Sequence, residues 1–74
     1  MQKSTKITNS IRELRLRHGA MSQAELAEKI GMTRQTINAI EQGKYSPSLE
    51  MAFKIARVFA LPLEDVFHYP LDSS

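Results

Sequence analysis

A chain of 74 residues, 42% of them hydrophobic, has room for one small domain. Its formal charge of +2 is too mild to argue for nucleic acid by itself, and the absence of cysteine removes disulfides and thiolate chemistry. No apolar run approaches the roughly 20 residues of a membrane span, and the polar N-terminal stretch lacks the apolar segment of a secretion signal, so a cytoplasmic protein with no membrane partner is expected.

Residues 1–8 are mostly polar around Ile7 and read either as a tail or as a short edge strand, since Thr5, Ile7 and Thr8 favour extended backbone. The tail is the simpler reading. A helix then begins near Ser10, with Glu13 placed to complete a capping box. Ile11, Leu14 and Leu16 supply its apolar face, Arg12, Arg15 and Arg17 surround that face, and Gly19 ends it.

Residues 22–43 carry the strongest pattern. Ser22 and Glu25 form a second S-x-x-E box, and Met21 before them stands where a hydrophobic staple packs against Leu26. Leu26, Ala27 and Ile30 make an apolar face, and Gly31 provides a left-handed stop. Thr33 caps a second helix with Ile37 and Ile40 turned inward, and Gly43 ends it. Two short helices joined by a tight glycine corner define a helix-turn-helix. Arg34, Gln35 and Asn38 lie on the side away from Ile37 and Ile40, and their side chains suit base edges and phosphates.

Pro47 and its flanking serines mark the next helix start. Ser46 with Pro47 at the first helical position, or Ser48 directly, can cap it, and Ser48 leaves the cleaner pattern of Leu49, Ala52, Phe53, Ile55, Ala56 and Phe59. Pro62 opens one more short helix through Leu63, Val66 and Phe67, with Glu64 and Asp65 at its positive end. Phe67, Tyr69 and Leu71 then alternate with more polar residues as in a strand, which needs the Ile7 segment or another subunit beside it.

The motifs S-Q-A-E-L-A from Ser22, G-M-T-R-Q-T-I-N from Gly31, I-E-Q-G-K-Y from Ile40 and P-S-L from Pro47 together resemble the DNA-binding domain of Cro/C1-type (XRE) transcriptional regulators. The run from Arg34 to Leu49 looks like a branch of very short, single-domain regulators. The resemblance covers almost the whole chain. It implies an all-α, five-helix, lambda repressor-like domain over residues 9–67, and leaves the terminal segments 1–8 and 68–74 outside it as candidate dimerisation strands. It also implies residue roles. Arg34 and Gln35 stand at base-reading positions, with Asn38 one turn on. Gln23, Thr33, Lys44 and Tyr45 stand where the family touches phosphates and backbone. Glu41 stands where the family's acid pairs with an arginine of the first helix, and Arg15 looks like that partner. The chain departs from the common pattern in an extra residue, Ala20, before Met21, in Ala60 where a glycine is usual, and in Pro62 where a capping serine is usual.

The expected function is a sequence-specific regulator of double-stranded DNA, a repressor acting as a homodimer on a palindromic operator, because two half-sites about 34 Å apart add specificity that one domain lacks. Phe67, Tyr69 and Leu71 are the expected dimer surface. Two alternatives use the same fold: an antitoxin that binds a small toxin protein and its own operator, and a protein-interaction module without specific DNA binding. The pattern predicts no cofactor and no metal, and with two distant histidines and no nucleophile–base set it does not read as an enzyme.

Overall fold

The computed structural model describes residues 6–70. Five helices run in the order α1 (Ile11–Arg17), α2 (Gln23–Ile30), α3 (Arg34–Glu41), α4 (Leu49–Val58) and α5 (Leu63–Val66). Two short strands, β1 (Thr8–Asn9) and β2 (Phe67–His68), pair antiparallel with Thr8 opposite His68 and Asn9 opposite Phe67. The fold is therefore the all-α arrangement that the resemblance implies, with both described termini joined in one ribbon. The strand after α5 finds its partner in the Ile7 segment of the same chain, and the tail reading gives way at Thr8. A hydrogen bond from the Ser10 N–H to the Val66 carbonyl (2.9 Å) carries the pairing one residue further.

That closure changes the start of α1. Ser10 makes no side-chain cap, so the expected Ser10–Glu13 box does not form. Its hydroxyl lies 2.9 Å from His68 Nε2 instead. Asn9 takes over the capping. Its Oδ1 accepts from the Ile11 N–H at 3.2 Å, and its Nδ2 donates to the Ile40 carbonyl at the end of α3 (2.9 Å). One amide thus starts the first helix and holds the end of the third. Along α1 the buried stripe is Ile11, Leu14 and Arg15, spaced i, i+3, i+4. Leu16 sits a further 100° round and is 56% exposed, so it does not belong to the apolar face.

The starts of α2, α3 and α4 form as their sequences predict, whereas Pro62, expected at the first helical position of α5, stands one residue before it as the N-cap. The Ser22–Glu25 box is reciprocal: Ser22 Oγ accepts from the Glu25 N–H (3.0 Å), and Glu25 Oε1 accepts from the Ser22 N–H (2.8 Å). Thr33 and Ser48 each accept from the backbone N–H three residues on, at Thr36 and Met51. The core gathers Ile11, Leu26, Ile37, Ile40, Ile55 and Val66, all essentially sealed from solvent, with Met21, Met32 and Met51 packed around it. In α4 the inward stripe is Ala52, Ile55, Ala56 and Phe59. Leu49 and Phe53 lie on its flank and are 68% and 50% exposed, so they leave the expected apolar face.

Three helices stop by one device. After α2, α3 and α4 a left-handed residue (Gly31, Gly43, Ala60) lets the next N–H reach back to the carbonyl five residues earlier, in the pairs Met32–Ala27, Lys44–Ala39 and Leu61–Ala56 at 2.9–3.1 Å. Ala60 adopts φ 56° there, and an L side chain in that region costs roughly 1–2 kcal/mol. The extra residue after α1 is absorbed the same way. Gly19 and Ala20 are both left-handed, and the Met21 N–H returns to the Arg15 carbonyl at 2.9 Å. Replacing Ala60 by glycine relieves the strain but increases unfolded-chain entropy. We expect Ala60→Gly to stabilise the fold by up to about 1 kcal/mol. A urea midpoint at or below wild type would show that the strain is relaxed by some other route.

Candidate nucleic-acid interface

The interface rests on a buried ion pair. Arg15 Nε and Nη2 donate to the two oxygens of Glu41 at 2.7 and 3.0 Å, and Nη1 donates to the Met21 carbonyl at 2.9 Å. The two side chains are 10% and 8% exposed. A guanidinium and a carboxylate meeting edge to edge satisfy each other's donors and acceptors, which offsets the large desolvation cost of burying both. The pair fastens α1 and the loop before α2 to the last turn of α3.

A chain of side-chain amides leads outward from it. Glu41 Oε1 also accepts from Gln23 Nε2 at 3.1 Å, and the second proton of that amide goes to Asn38 Oδ1, again at 3.1 Å. Gln23 Oε1 faces the other way and accepts from Arg34 Nη1 at 3.3 Å. Asn38 Oδ1 accepts a further bond from Gln42 Nε2 at 3.3 Å. The amide orientations follow from the charged ends. An ionised carboxylate only accepts and a guanidinium only donates, so Gln23 must turn its nitrogen to Glu41 and its oxygen to Arg34. Asn38 must then show its oxygen to Gln23, which leaves its Nδ2 donors without a partner among the described residues.

The outer layer is exposed. Arg34 and Gln35 form the first turn of α3, where a positive side chain opposes the helix dipole. Among the described residues no carboxylate lies within 4 Å of Arg34 or of Lys44, which follows Gly43 at the other end of α3. Thr33 Oγ1 accepts the cap and touches the Thr36 hydroxyl at 3.0 Å. Tyr45 stays largely in solvent beyond Lys44. Of the residues expected at a dimer surface, Phe67 is half-buried against the core, Tyr69 is exposed and Leu71 lies outside the described residues.

Sequence reasoning places Gln23, Arg34, Asn38 and Glu41 individually but not the bonds that join them. Only the Asn38–Gln42 contact has a local signal, the i, i+4 spacing on one helix. Gln23 and Glu41 are 18 residues apart and meet only because α2 packs on α3. Asn9 was likewise without a signal.

Two short helices, a three-residue corner and a solvent-facing second helix with polar and basic groups make this a helix-turn-helix DNA-binding domain. The sequence matches the helix-turn-helix family over residues 11–66. It is 50% identical over 64 residues to an uncharacterised HTH-type transcriptional regulator of Methanocaldococcus jannaschii, covering 86% of this chain and 96% of that one. It is 52% identical over 59 residues to the HTH-type transcriptional regulator YgzD of Bacillus subtilis, covering 80% and 88%. A crystal structure of a protein from Bacteroides fragilis superposes with a TM-score of 0.71 at 26% identity, over 84% of this chain and 98% of that one. The chain belongs to the Cro/C1-type (XRE) helix-turn-helix family of DNA-binding transcriptional regulators.

The buried pair makes a sharp stability prediction. Glu41→Leu strands the Arg15 charge and should destabilise the fold by about 3–5 kcal/mol, whereas Arg15→Met combined with Glu41→Leu should lie closer to wild type than either Arg15→Met or Glu41→Leu alone. Urea denaturation of the four proteins measures this, and additive losses in the double variant would contradict it.

Proposed function

We propose that the protein is a sequence-specific repressor that occupies a palindromic operator as a homodimer. The observation that carries this is the first turn of α3. Arg34 and Gln35 are exposed on a rigid helix whose own dipole disfavours a cation there, and Arg34 is aimed by an amide that is itself anchored in the buried ion pair. A guanidinium suits the O6 and N7 acceptors of guanine, and Gln35 can both donate to and accept from adenine. Asn38, with its oxygen already engaged, presents only donors, which suits an acceptor such as a phosphate, guanine O6 or thymine O4 rather than two-point reading of adenine. Thr33, Lys44 and Tyr45 flank this face and serve the backbone. Occupying a promoter is sufficient for repression.

The dimer reading is supported by a second surface. Ile7, Pro47, Leu49, Leu63 and Phe67 line a shallow groove of about 280 Å³ that contains no charged side chain. Leu49 is 68% exposed in its wall, and Tyr69 is 61% exposed. A two-fold contact sets a patch against its own image, so a charged patch repels itself and an uncharged one does not. The groove between α2 and α4 carries Lys29, Lys54 and Arg57 against one carboxylate, Glu50, and its net positive charge makes it less suited to that role. Leu49→Asp should therefore shift sedimentation from dimer to monomer while leaving helix content intact. Unchanged sedimentation would move the interface elsewhere.

In-vitro selection from random duplexes at near-physiological salt tests the function directly. A palindrome with half-site centres about 34 Å apart is expected. Within it, Arg34→Ala should flatten preference at one base pair per half-site, a loss of about 1–3 kcal/mol of discrimination. Lys44→Ala should instead weaken all duplexes alike and lower the salt slope by about 1. If both variants lose only general affinity, Arg34 does not read a base.

A further inference from the structure

The groove between α2 and α4 has a chemistry of its own. It holds about 510 Å³ and has an aliphatic floor, Ile30 from α2 and Val58 from α4. Phe53 stands in its wall, half of it in solvent. The rim carries Lys29, Lys54 and Arg57, all exposed, against the carboxylate of Glu50. That carboxylate neutralises little, because its side chain is 83% exposed and lies 3.8 Å from Lys54 Nζ, a pair that water screens. Among the described residues no carboxylate lies within 4 Å of Lys29 or Arg57. Along α4, Glu50, Phe53, Lys54 and Arg57 follow the spacing i, i+3, i+4, i+7, on a stripe turned almost opposite to the inward Ala52, Ile55, Ala56 and Phe59. Helix ends account for two of the cations. Lys29 and Arg57 lie in the last turns of α2 and α4, where positive side chains offset the helix dipole. They do not account for an aromatic ring held among charges and above an aliphatic floor.

We propose that this groove docks an acidic segment of another protein, one whose apolar side chain lies against Phe53 over Ile30 and Val58 while its carboxylates meet Lys29, Lys54 and Arg57. Charge sets the sign of the partner. A second copy would bring the same excess of cations to a two-fold contact and be repelled. The floor sets its class. A phosphate backbone supplies anions but nothing apolar to cover the ring and the two aliphatic side chains, whereas an acidic peptide with an aliphatic anchor supplies both. The groove also lies away from α3. Lys29 stands at the far end of α2 from Gln23, about 9 Å along the helix axis, and Gln23 is the α2 residue that meets Arg34 and Asn38. The segment and a duplex on α3 therefore occupy opposite ends of α2.

The test uses the full chain without DNA, so its outcome does not depend on the operator reading. Isotope-labelled protein is titrated by NMR with a short peptide of aspartate and glutamate that carries a central Leu-Leu pair, and with the same peptide carrying Ser-Ser instead. Amide shifts are expected at Lys29, Ile30, Phe53, Arg57 and Val58, and the leucine peptide should bind at least about fivefold tighter than the serine peptide. Phe53→Ser should erase that difference, and Lys29→Gln combined with Arg57→Gln should weaken both peptides about fivefold. All three positions are exposed, and unchanged helix content checks that the variants fold. No shifts at these amides, or equal binding of the two peptides with shifts spread over every basic side chain, overturns the proposal. Two further measurements expose the rival occupants. Wild-type self-association that is lost in Phe53→Ser would seat a second copy in the groove. A salt slope for random duplexes that falls by about 2 in the Lys29→Gln, Arg57→Gln variant would seat a phosphate backbone there. Either result overturns the acidic-peptide assignment.

Discussion

The Arg15–Glu41 pair is the contact on which the rest of this small domain depends. Among the described residues it is the one place where two full charges are taken out of water, and that is tolerable only because the carboxylate and guanidinium meet edge to edge and the remaining guanidinium donor finds the Met21 carbonyl. The pair lies where α1, the loop before α2 and the end of α3 converge. It fixes the three pieces that set the angle of α3. In a chain of 74 residues, whose core is six large side chains and their neighbours, such a tie constrains more of the molecule than it would in a larger one.

Around that tie the backbone is closed with few devices, repeated. Three helices begin on a serine or threonine hydroxyl, and three end on a left-handed residue followed by the same backward hydrogen bond. Short helices have a large share of unpaired backbone groups, so their ends weigh as heavily as their faces. Asn9 belongs to the same logic across distance, since its two amide atoms complete the start of α1 and the end of α3.

The surface divides by chemistry. The face of α3 carries donors that seek acceptors, and its amides are oriented by charged groups at either end of a hydrogen-bonded chain. The groove beside the terminal ribbon carries no charge and exposes Leu49. The proposed function asks the protein both to read DNA and to pair with a second copy, and the two tasks need surfaces that do not compete. Residues of the two sets do not overlap.

What the sequence by itself determined is local. The Ser22–Glu25 box, the Thr33 and Ser48 caps, the glycine stops and the helix-turn-helix spacing are all decided within four or five residues by backbone hydrogen bonding and side-chain periodicity, and these were legible. Helical spacing also put Arg34, Gln35 and Asn38 on the outward side of the second helix, and the family resemblance added Gln23 and the Arg15–Glu41 pair as candidates. Tertiary structure decided what depends on neighbours distant in the chain. Ser10 loses its capping role because closing the ribbon puts its hydroxyl against His68. Leu16, Leu49 and Phe53 look like core by hydrophobicity, but a short helix buries only the stripe that faces its neighbours, and these three lie off it. The orientation of Gln23 was invisible for the same reason: it is set by a carboxylate 18 residues away and a guanidinium 11 away, which only the packing of α2 on α3 brings within hydrogen-bonding distance.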